Sequence, residues 1–366
     1  MLWQLLLGTS CSSGGGRGTL RRPQQRHPEA EKQVLDAAVM SVTETFFKEI
    51  LPIIKMTNQS TVTEFLLMGF SSDREEQFFY FVIFLSIYLI VLVGNFLITI
   101  AVALNHKLHT PMYFFLVNLS LTDICYISTT IPKSIAASLS DDKRISFAGC
   151  VAQVFLVLTF AGSELALLTI MAYDRYVAIC HPLQYELIMN WDACIQMAAA
   201  SWISSPIHSS LHTIITFRLD FCGSNIIGQH FCDVPQLLKI SCTDTKVNQI
   251  LILAIGITGG SFCGGFIFAS YGYIFSAVLR VPSVQGRYKV FSTCIPHLTV
   301  FSLFMSTAVF SYMRPKALSS TMMDLLSAVL YNVLPPLLNP IIYSFRNKDI
   351  QEAVLKIPKG IRSLLA

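Results

Sequence analysis

The sequence predicts an all-α membrane protein, a seven-transmembrane helix bundle followed by a short amphipathic C-terminal helix. Three observations carry this. Of 366 residues, 53% are hydrophobic and only 13% are charged, about half the charged fraction of a soluble domain, and the mean hydropathy is +0.57. So few charges cannot cover a water-facing surface, so most of the exterior must meet an apolar solvent. Seven long apolar runs follow one another along the chain, and polar segments of loop length separate them. The net charge of +4 is too mild and too evenly spread to point to nucleic acid.

Five runs, 78–104, 193–217, 247–279, 290–313 and 325–345, hold no Asp, Glu, Lys or Arg. Two more, 111–131 and 147–172, hold one acid each, Asp123 and Glu164. About 20 helical residues at about 1.5 Å each cross a hydrocarbon core of about 30 Å, so every run is long enough. Backbone groups in lipid must be satisfied within the segment, which selects helices. Tilt accommodates the longer runs.

These runs define a membrane domain over residues 78–345, preceded by a short tail over 56–77. In the tail 346–366, Ile350, Val354, Leu355 and Ile357 recur at near-helical spacing beside Lys348, Lys356 and Lys359. That spacing predicts an amphipathic helix on the membrane surface. Residues 1–55 differ in composition. Met1 to Leu7 is apolar but lacks a basic leading region, and Gly14 to Gly16 with Arg17, Arg21 and Arg22 follow at once. A cleaved signal peptide is not expected there, and disorder is. Met56 offers a second start, which would make the extension a gene-model artefact.

Orientation does not follow from basic residues. With the N-terminus outside, the chain from Met56 onward carries ten Lys and Arg inside and nine outside, and residues 1–55 add seven more outside, so the positive-inside rule decides nothing. Cysteines decide more. Cys150 opens the third run, and Cys222, Cys232 and Cys242 lie in the long segment between the fourth and fifth. Disulfides persist in oxidising compartments, which puts this face and the N-terminus outside. Asn58-Gln59-Ser60 is a glycosylation sequon on the same side. Asn118-Leu119-Ser120 also matches but falls within a span, where no modification is expected.

Local motifs sharpen the reading. Gly94-Asn95 lies in the first span, Asp123 in the second, Asp174-Arg175-Tyr176 at the end of the third and Asn339-Pro340-Ile341-Ile342-Tyr343 in the seventh. Four motifs in the right four helices resemble the rhodopsin-like G-protein-coupled receptors. Pro111-Met112-Tyr113-Phe114-Phe115-Leu116, the block from Met171 to Leu183 (MAYDRYVAICHPL), Ser270-Tyr271, Phe291-Ser292-Thr293-Cys294 and Pro335-Pro336-Leu337-Leu338-Asn339-Pro340 narrow the likeness. Within that superfamily the chain resembles an olfactory receptor of the tetrapod-type branch, from Met56 to about Ala353.

The resemblance implies a plasma-membrane receptor, not an enzyme. It would bind a small volatile hydrophobic ligand and act through a heterotrimeric stimulatory olfactory G-protein that raises cyclic AMP. It implies that Cys150 pairs with Cys232 and Cys222 with Cys242, although four cysteines allow three connectivities. Asp174, Arg175 and Tyr176 would serve the G-protein face, and Tyr271, Asn339, Pro340 and Tyr343 the activating movement. Pro340 removes a backbone bond from the seventh helix, and Asn339 can re-satisfy a freed carbonyl. A charge within a membrane helix costs about 2.5 kcal/mol or more, so Asp123 and Glu164 are functional candidates. By resemblance they would share a Na⁺ through oxygen ligation. A protonated, hydrogen-bonded pair without metal is the alternative. No other cofactor is implied.

Positions carried over from the family give a ligand site of Val157, Leu158, Ala161 and Gly162 on the third helix and Ile255, Gly256 and Gly259 on the fifth. Ala308, Val309 and Tyr312 follow on the sixth, with Val329 and Asn332 on the seventh. No acid stands near Val157 to pair a cationic ligand. The site therefore suits a neutral, largely apolar molecule, with Tyr312 or Asn332 supplying the oriented hydrogen bonds. Pro296 stands where the family has Ser before His297, and Met305-Ser306 replaces Tyr-Gly. Gln184, Glu186 and Asp192 make the second inner loop less basic, and these departures bear on coupling. A rhodopsin-like receptor for a non-odorant lipid or metabolite is the rival reading. A transporter would need inverted repeats, and none is visible.

Overall fold

The computed structural model describes residues 62–68, 73–139, 143–222, 224–242, 246–280, 283–313, 321–346 and 348–356, with positions 44, 48 and 52 standing alone. The Asn58 acceptor lies outside these residues, as does almost all of the stretch over which disorder is expected.

All seven apolar runs are helical. They form α1 (Arg74–Leu104), α2 (Pro111–Leu139), α3 (Phe147–Cys180), α4 (Trp191–Phe217), α5 (Lys246–Leu279), α6 (Val284–Met313) and α7 (Thr321–Arg346), followed by α8 (Lys348–Lys356). α3 is the hub, packed against α2, α4, α5 and α6, while α7 joins α6 to α1 and α2. Most helices extend beyond their charge-free runs because a helix tolerates charge once it leaves the hydrocarbon. α1 begins four residues early on Glu75 and Glu76, whose charges suit a helix N-terminus. α3 continues past Ala172 to carry Asp174 and Arg175. Ser146 caps α3 by accepting the Gly149 N–H at 3.1 Å, and Asn190 caps α4 by accepting that of Ala193 at 2.9 Å.

Six of these helices, all but α4, are long and apolar enough to cross a membrane. α4 has the length, at 27 residues, but its serines, threonines and histidines lower its apolarity. Its hydroxyls are not left bare. Ser205, Ser209, Thr213 and Thr216 each donate to the carbonyl four residues earlier, at 2.8 to 2.9 Å, which lowers the cost of placing them in an apolar layer.

The helical architecture carries one addition at the end where α3 begins. β1 (Glu64–Leu67) pairs antiparallel with β2 (Arg144–Ser146) and parallel with β3 (Ile226–Ile227). The tail before α1 is thus a strand rather than a plain polar lead. Phe65 and Leu67 alternate inward. Phe65 meets Phe147 and Phe221 at ring-centroid distances of 6.2 and 5.6 Å. Burying one such ring is worth about 1.5–3 kcal/mol, enough to hold a short sheet against α3.

The segment between α4 and α5 is not an open loop. It holds β3 and a short helix, Val234–Ile240. Cys232 is joined to Cys150 at the start of α3, and Cys222 to Cys242, with Cα–Cα distances of 5.5 and 5.9 Å. At the opposite end α8 buries Ile350 and Ala353 in the main core and leaves Leu355 68% exposed. The tail helix is therefore two-sided.

Candidate functional site

At the centre of the bundle α2, α3 and α7 meet through polar groups. Asn339 Nδ2 donates to Asp123 Oδ1 and Oδ2 at 3.1 and 3.0 Å and to Glu164 Oε1 at 3.2 Å. All three residues are buried. One amide NH₂ has two hydrogens, so one serves each carboxyl group. Two acids at such range repel unless a proton or a cation intervenes. Glu164 Oε2 and Asn339 Oδ1 are buried with no hydrogen-bond partner among the described residues. The Asp123 carboxylate and the free Glu164 Oε2 are hard oxygen donors of the kind that Na⁺ takes, so the acid pair fits that ion. Among the described residues no cluster of three His, Cys, Asp or Glu gathers to hold a metal.

Asn339 does not serve the carbonyl that Pro340 frees. Proline at 340 leaves the Pro336 carbonyl without its helical donor, and Asn95 Nδ2 from α1 reaches that oxygen at 3.3 Å while also bonding Val91 O at 3.0 Å. The neighbouring Gly94 allows the approach. A Cβ there would lie 3.1 Å from Pro340 Cγ. Gly94 and Asn95 act together, one by admitting the proline ring and the other by replacing its missing hydrogen bond.

The far end of α3 carries the charged group. Arg175 Nη2 and Nε contact Asp174 Oδ2 at 2.6 and 3.1 Å, and Tyr185 OH donates to Asp174 Oδ1 at 2.7 Å. Tyr185 opens a single-turn helix, Tyr185–Ile188, after α3. Burial, then the Asp174 charge, push its phenol above the usual range, so it stays a donor. Tyr176 OH bonds His181 Nε2 at 3.0 Å. His297 of α6 reaches Leu168 O of α3 at 2.8 Å and stacks beside Tyr271 at 5.6 Å. The hydroxyls of Tyr271 and Tyr343 are buried with no hydrogen-bond partner among the described residues. They are not bonded to each other. Pro296 sits inside an unbroken α6.

At the sheet end, Gln153 of α3 accepts the Cys232 N–H at 2.8 Å and donates to Thr129 O of α2 at 3.0 Å. His230 packs against Phe84 and Phe231 at 5.6 and 4.8 Å, and Ser134 Oγ donates to its carbonyl at 3.3 Å. The segment before α5 is thereby fastened over α1, α2 and α3. Burial pushes the His230 imidazole down to about 3.

The twelve ligand positions do not all converge. Val157 is buried with Tyr126, Phe160 and Trp202, and Ala161 packs on that cluster. Leu158 packs against the sheet-end cluster. Gly162 faces α4, where its Cβ would meet Ser205 at 3.4 Å. Gly259 faces His208 of α4, Gly256 faces open space, and Ile255 is half-buried. Ala308 is half-buried and Val309 is 47% exposed. The Tyr312 side chain lies outside the described residues. Val329 packs against the cluster of Phe84, Val91, Ile127, Ile131 and Val333. Asn332 is 0% exposed and exchanges hydrogen bonds with Thr130 at 2.8 and 3.1 Å.

The helices are tied across their middle by one shared amide, with a charged pair at one end and a fastened segment at the other. That is the construction of the rhodopsin-like membrane receptors. Residues 84–359 match the olfactory receptor family. The chain is 51% identical over 308 residues to olfactory receptor 14C36 of Homo sapiens, covering 84% of this chain and 98% of that one. It is 48% identical over 305 residues to olfactory receptor 14A16 of Homo sapiens (83% and 98%) and 44% over 300 residues to olfactory receptor 1468 of Rattus norvegicus (82% and 96%). The chain belongs to the olfactory receptor family, and so to the multi-pass proteins of the plasma membrane.

Proposed function

We propose that the protein is an odorant receptor that binds a small, neutral, mostly hydrophobic molecule and activates a stimulatory olfactory G-protein, raising cyclic AMP. The N-terminus and the sheet end face outward, a reading supported by the two cystines gathered there. The observation that carries the proposal is the Asp174–Arg175 pair held by Tyr185, about 40 Å along α3 from the sheet. In the resting bundle Arg175 is committed to its neighbour. An active state frees it for the G-protein. A Na⁺ between Asp123 and Glu164, where bound, supplies the charge that lets both carboxylates sit beside Asn339, and so favours the resting packing of α2, α3 and α7.

The test is a cyclic AMP reporter in cells exposed to a diverse panel of volatile molecules, with chains starting at Met1 and at Met56. A response is expected from at least one neutral apolar compound. Arg175→Ala should abolish the signal while ligand binding persists. A full response from Arg175→Ala would refute the coupling role.

A further inference from the structure

α4 carries two histidines one turn apart, His208 and His212, away from both the acid pair and the Asp174–Arg175 end. Their ring centroids are 4.8 Å apart. His212 is 6% exposed and His208 half-buried, and neither imidazole has a hydrogen-bond partner among the described residues. The hydroxyls nearby on α4, Ser209, Thr213 and Thr216, have given their hydrogens to the helix's own carbonyls. Across the seam α5 presents glycines. A Cβ at Gly259 would lie 3.6 Å from His208 Cε1, and one at Gly256 would meet nothing within 4 Å. His208 therefore packs at van der Waals distance on the α5 backbone at Gly259, and the Cβ side of Gly256, one turn earlier on α5, is open.

A neutral imidazole offers one N–H donor and one bare acceptor nitrogen. Two side by side, with tautomers that adjust, set a donor beside an acceptor in an apolar layer, where leaving them unmet is costly. A hydroxyl is the smallest group that answers both, because its O–H donates to one ring nitrogen while its oxygen accepts the N–H of the other. An ether oxygen only accepts. Two imidazoles at i and i+4 also suit a transition-metal ion, but among the described residues no third ligand joins them. A bare dication in an apolar layer carries a heavy desolvation cost.

We infer that His208 and His212 form the polar end of a binding site for lipophilic alcohols along the seam between α4 and α5, with the apolar body of the ligand lying over Gly256 and Gly259. This rests on the odorant-receptor reading in taking the ligand to be small and lipophilic. A volatile alcohol and a membrane sterol share the required chemistry. The test uses the full chain, ¹⁵N-labelled at histidine, in sterol-free phosphatidylcholine nanodiscs. It is titrated with octan-1-ol and with the isomeric methyl heptyl ether, then with cholesterol and its 3-methyl ether. His208→Phe and His212→Phe assign the two ring signals. Octan-1-ol is expected to move both while the ether moves neither, and His212→Phe should weaken octan-1-ol binding about tenfold or more. Gly259→Val, which fills the seam, should abolish the shift while the His297 signal stays in place. A shift with cholesterol alone would identify the sterol as the source. Ring signals unmoved by every alcohol, or moved equally by the ethers, would overturn the inference. The readout needs no G-protein, so a receptor silent in the reporter assay but showing the shift keeps this site and loses only the coupling.

Discussion

Tyr185 donates its hydroxyl to Asp174 at 2.7 Å, and Asp174 in turn holds Arg175. The lock on α3 is thus a three-residue arrangement whose third member comes from the following loop. Asp174 is 1% exposed, so each contact it loses leaves a buried carboxylate short of partners. Tyr185→Phe keeps the ring and removes the donor. A hydrogen bond to a charged group is worth about 1.5 kcal/mol or more, so the resting state should lose about tenfold of its advantage over the active one. Ligand-independent cyclic AMP at matched surface expression should rise accordingly. Unchanged basal signalling would show that Asp174 holds Arg175 unaided.

The carboxyl pair predicts a dependence on sodium. If Na⁺ occupies the space beside Asn339, replacing choline by sodium at several times its Kd should stabilise the detergent-purified protein by about 1 kcal/mol. Asp123→Asn removes one charge and should erase the difference between the two salts. A thermal midpoint that ignores sodium in the wild-type protein would favour the alternative, a shared proton.

The seven helices were legible because lipid imposes a coarse rule, an apolar run of sufficient length, and each run records it. The central acids were legible for the same reason, since a charge in such a run stands out. What was not legible is which partner each polar group takes. Asn339 and Asn95 both stand near prolines in the bundle, and only three-dimensional packing assigns Asn95 to the Pro336 carbonyl and Asn339 to the acids. Gln153 and Tyr185 carried faint signals, a lone amide in an apolar helix and a tyrosine just past the His181-Pro182-Leu183 block. β1 was missed because four residues of strand depend on pairing with segments 80 and 160 residues away, and no local pattern encodes that.

His230 sets a pH dependence at the sheet end. Burial against Phe84 and Phe231 lowers its affinity for protons to about 3, from 6.5 for a free imidazole. The unfolded chain therefore binds the proton more readily than the folded one. The stability that neutral His230 supports is fully present above about pH 6.5 and declines as pH falls toward 3, by up to about 1.4 kcal/mol per unit. Carboxylates titrate in part of this window too. His230→Phe isolates the histidine contribution, and its thermal midpoint between pH 6.5 and 5 should fall less than that of the wild type. Parallel curves would show that His230 is not held neutral.

Asn332 separates a ligand contact from a packing contact. The family resemblance implies a hydrogen-bonding role for it toward the odorant, while its amide faces Thr130 across α2 and α7 and no part of it is exposed. Asn332→Ala would leave the Thr130 hydroxyl only its 3.4 Å bond to the Ile127 carbonyl, at a cost of about 1 kcal/mol. Thr130→Val would strand the Asn332 amide, at a cost of about 1–3 kcal/mol. Pairing Asn332→Leu with Thr130→Val removes both polar groups and should recover part of the loss, the non-additivity expected of residues in contact. The thermal midpoint of the purified protein reports the cost. The half-maximal concentration of any agonist should change by no more than about twofold in the double variant, because each side chain's hydrogen-bonding groups are already committed to the other. A tenfold loss of agonist potency with stability intact would return Asn332 to the ligand site.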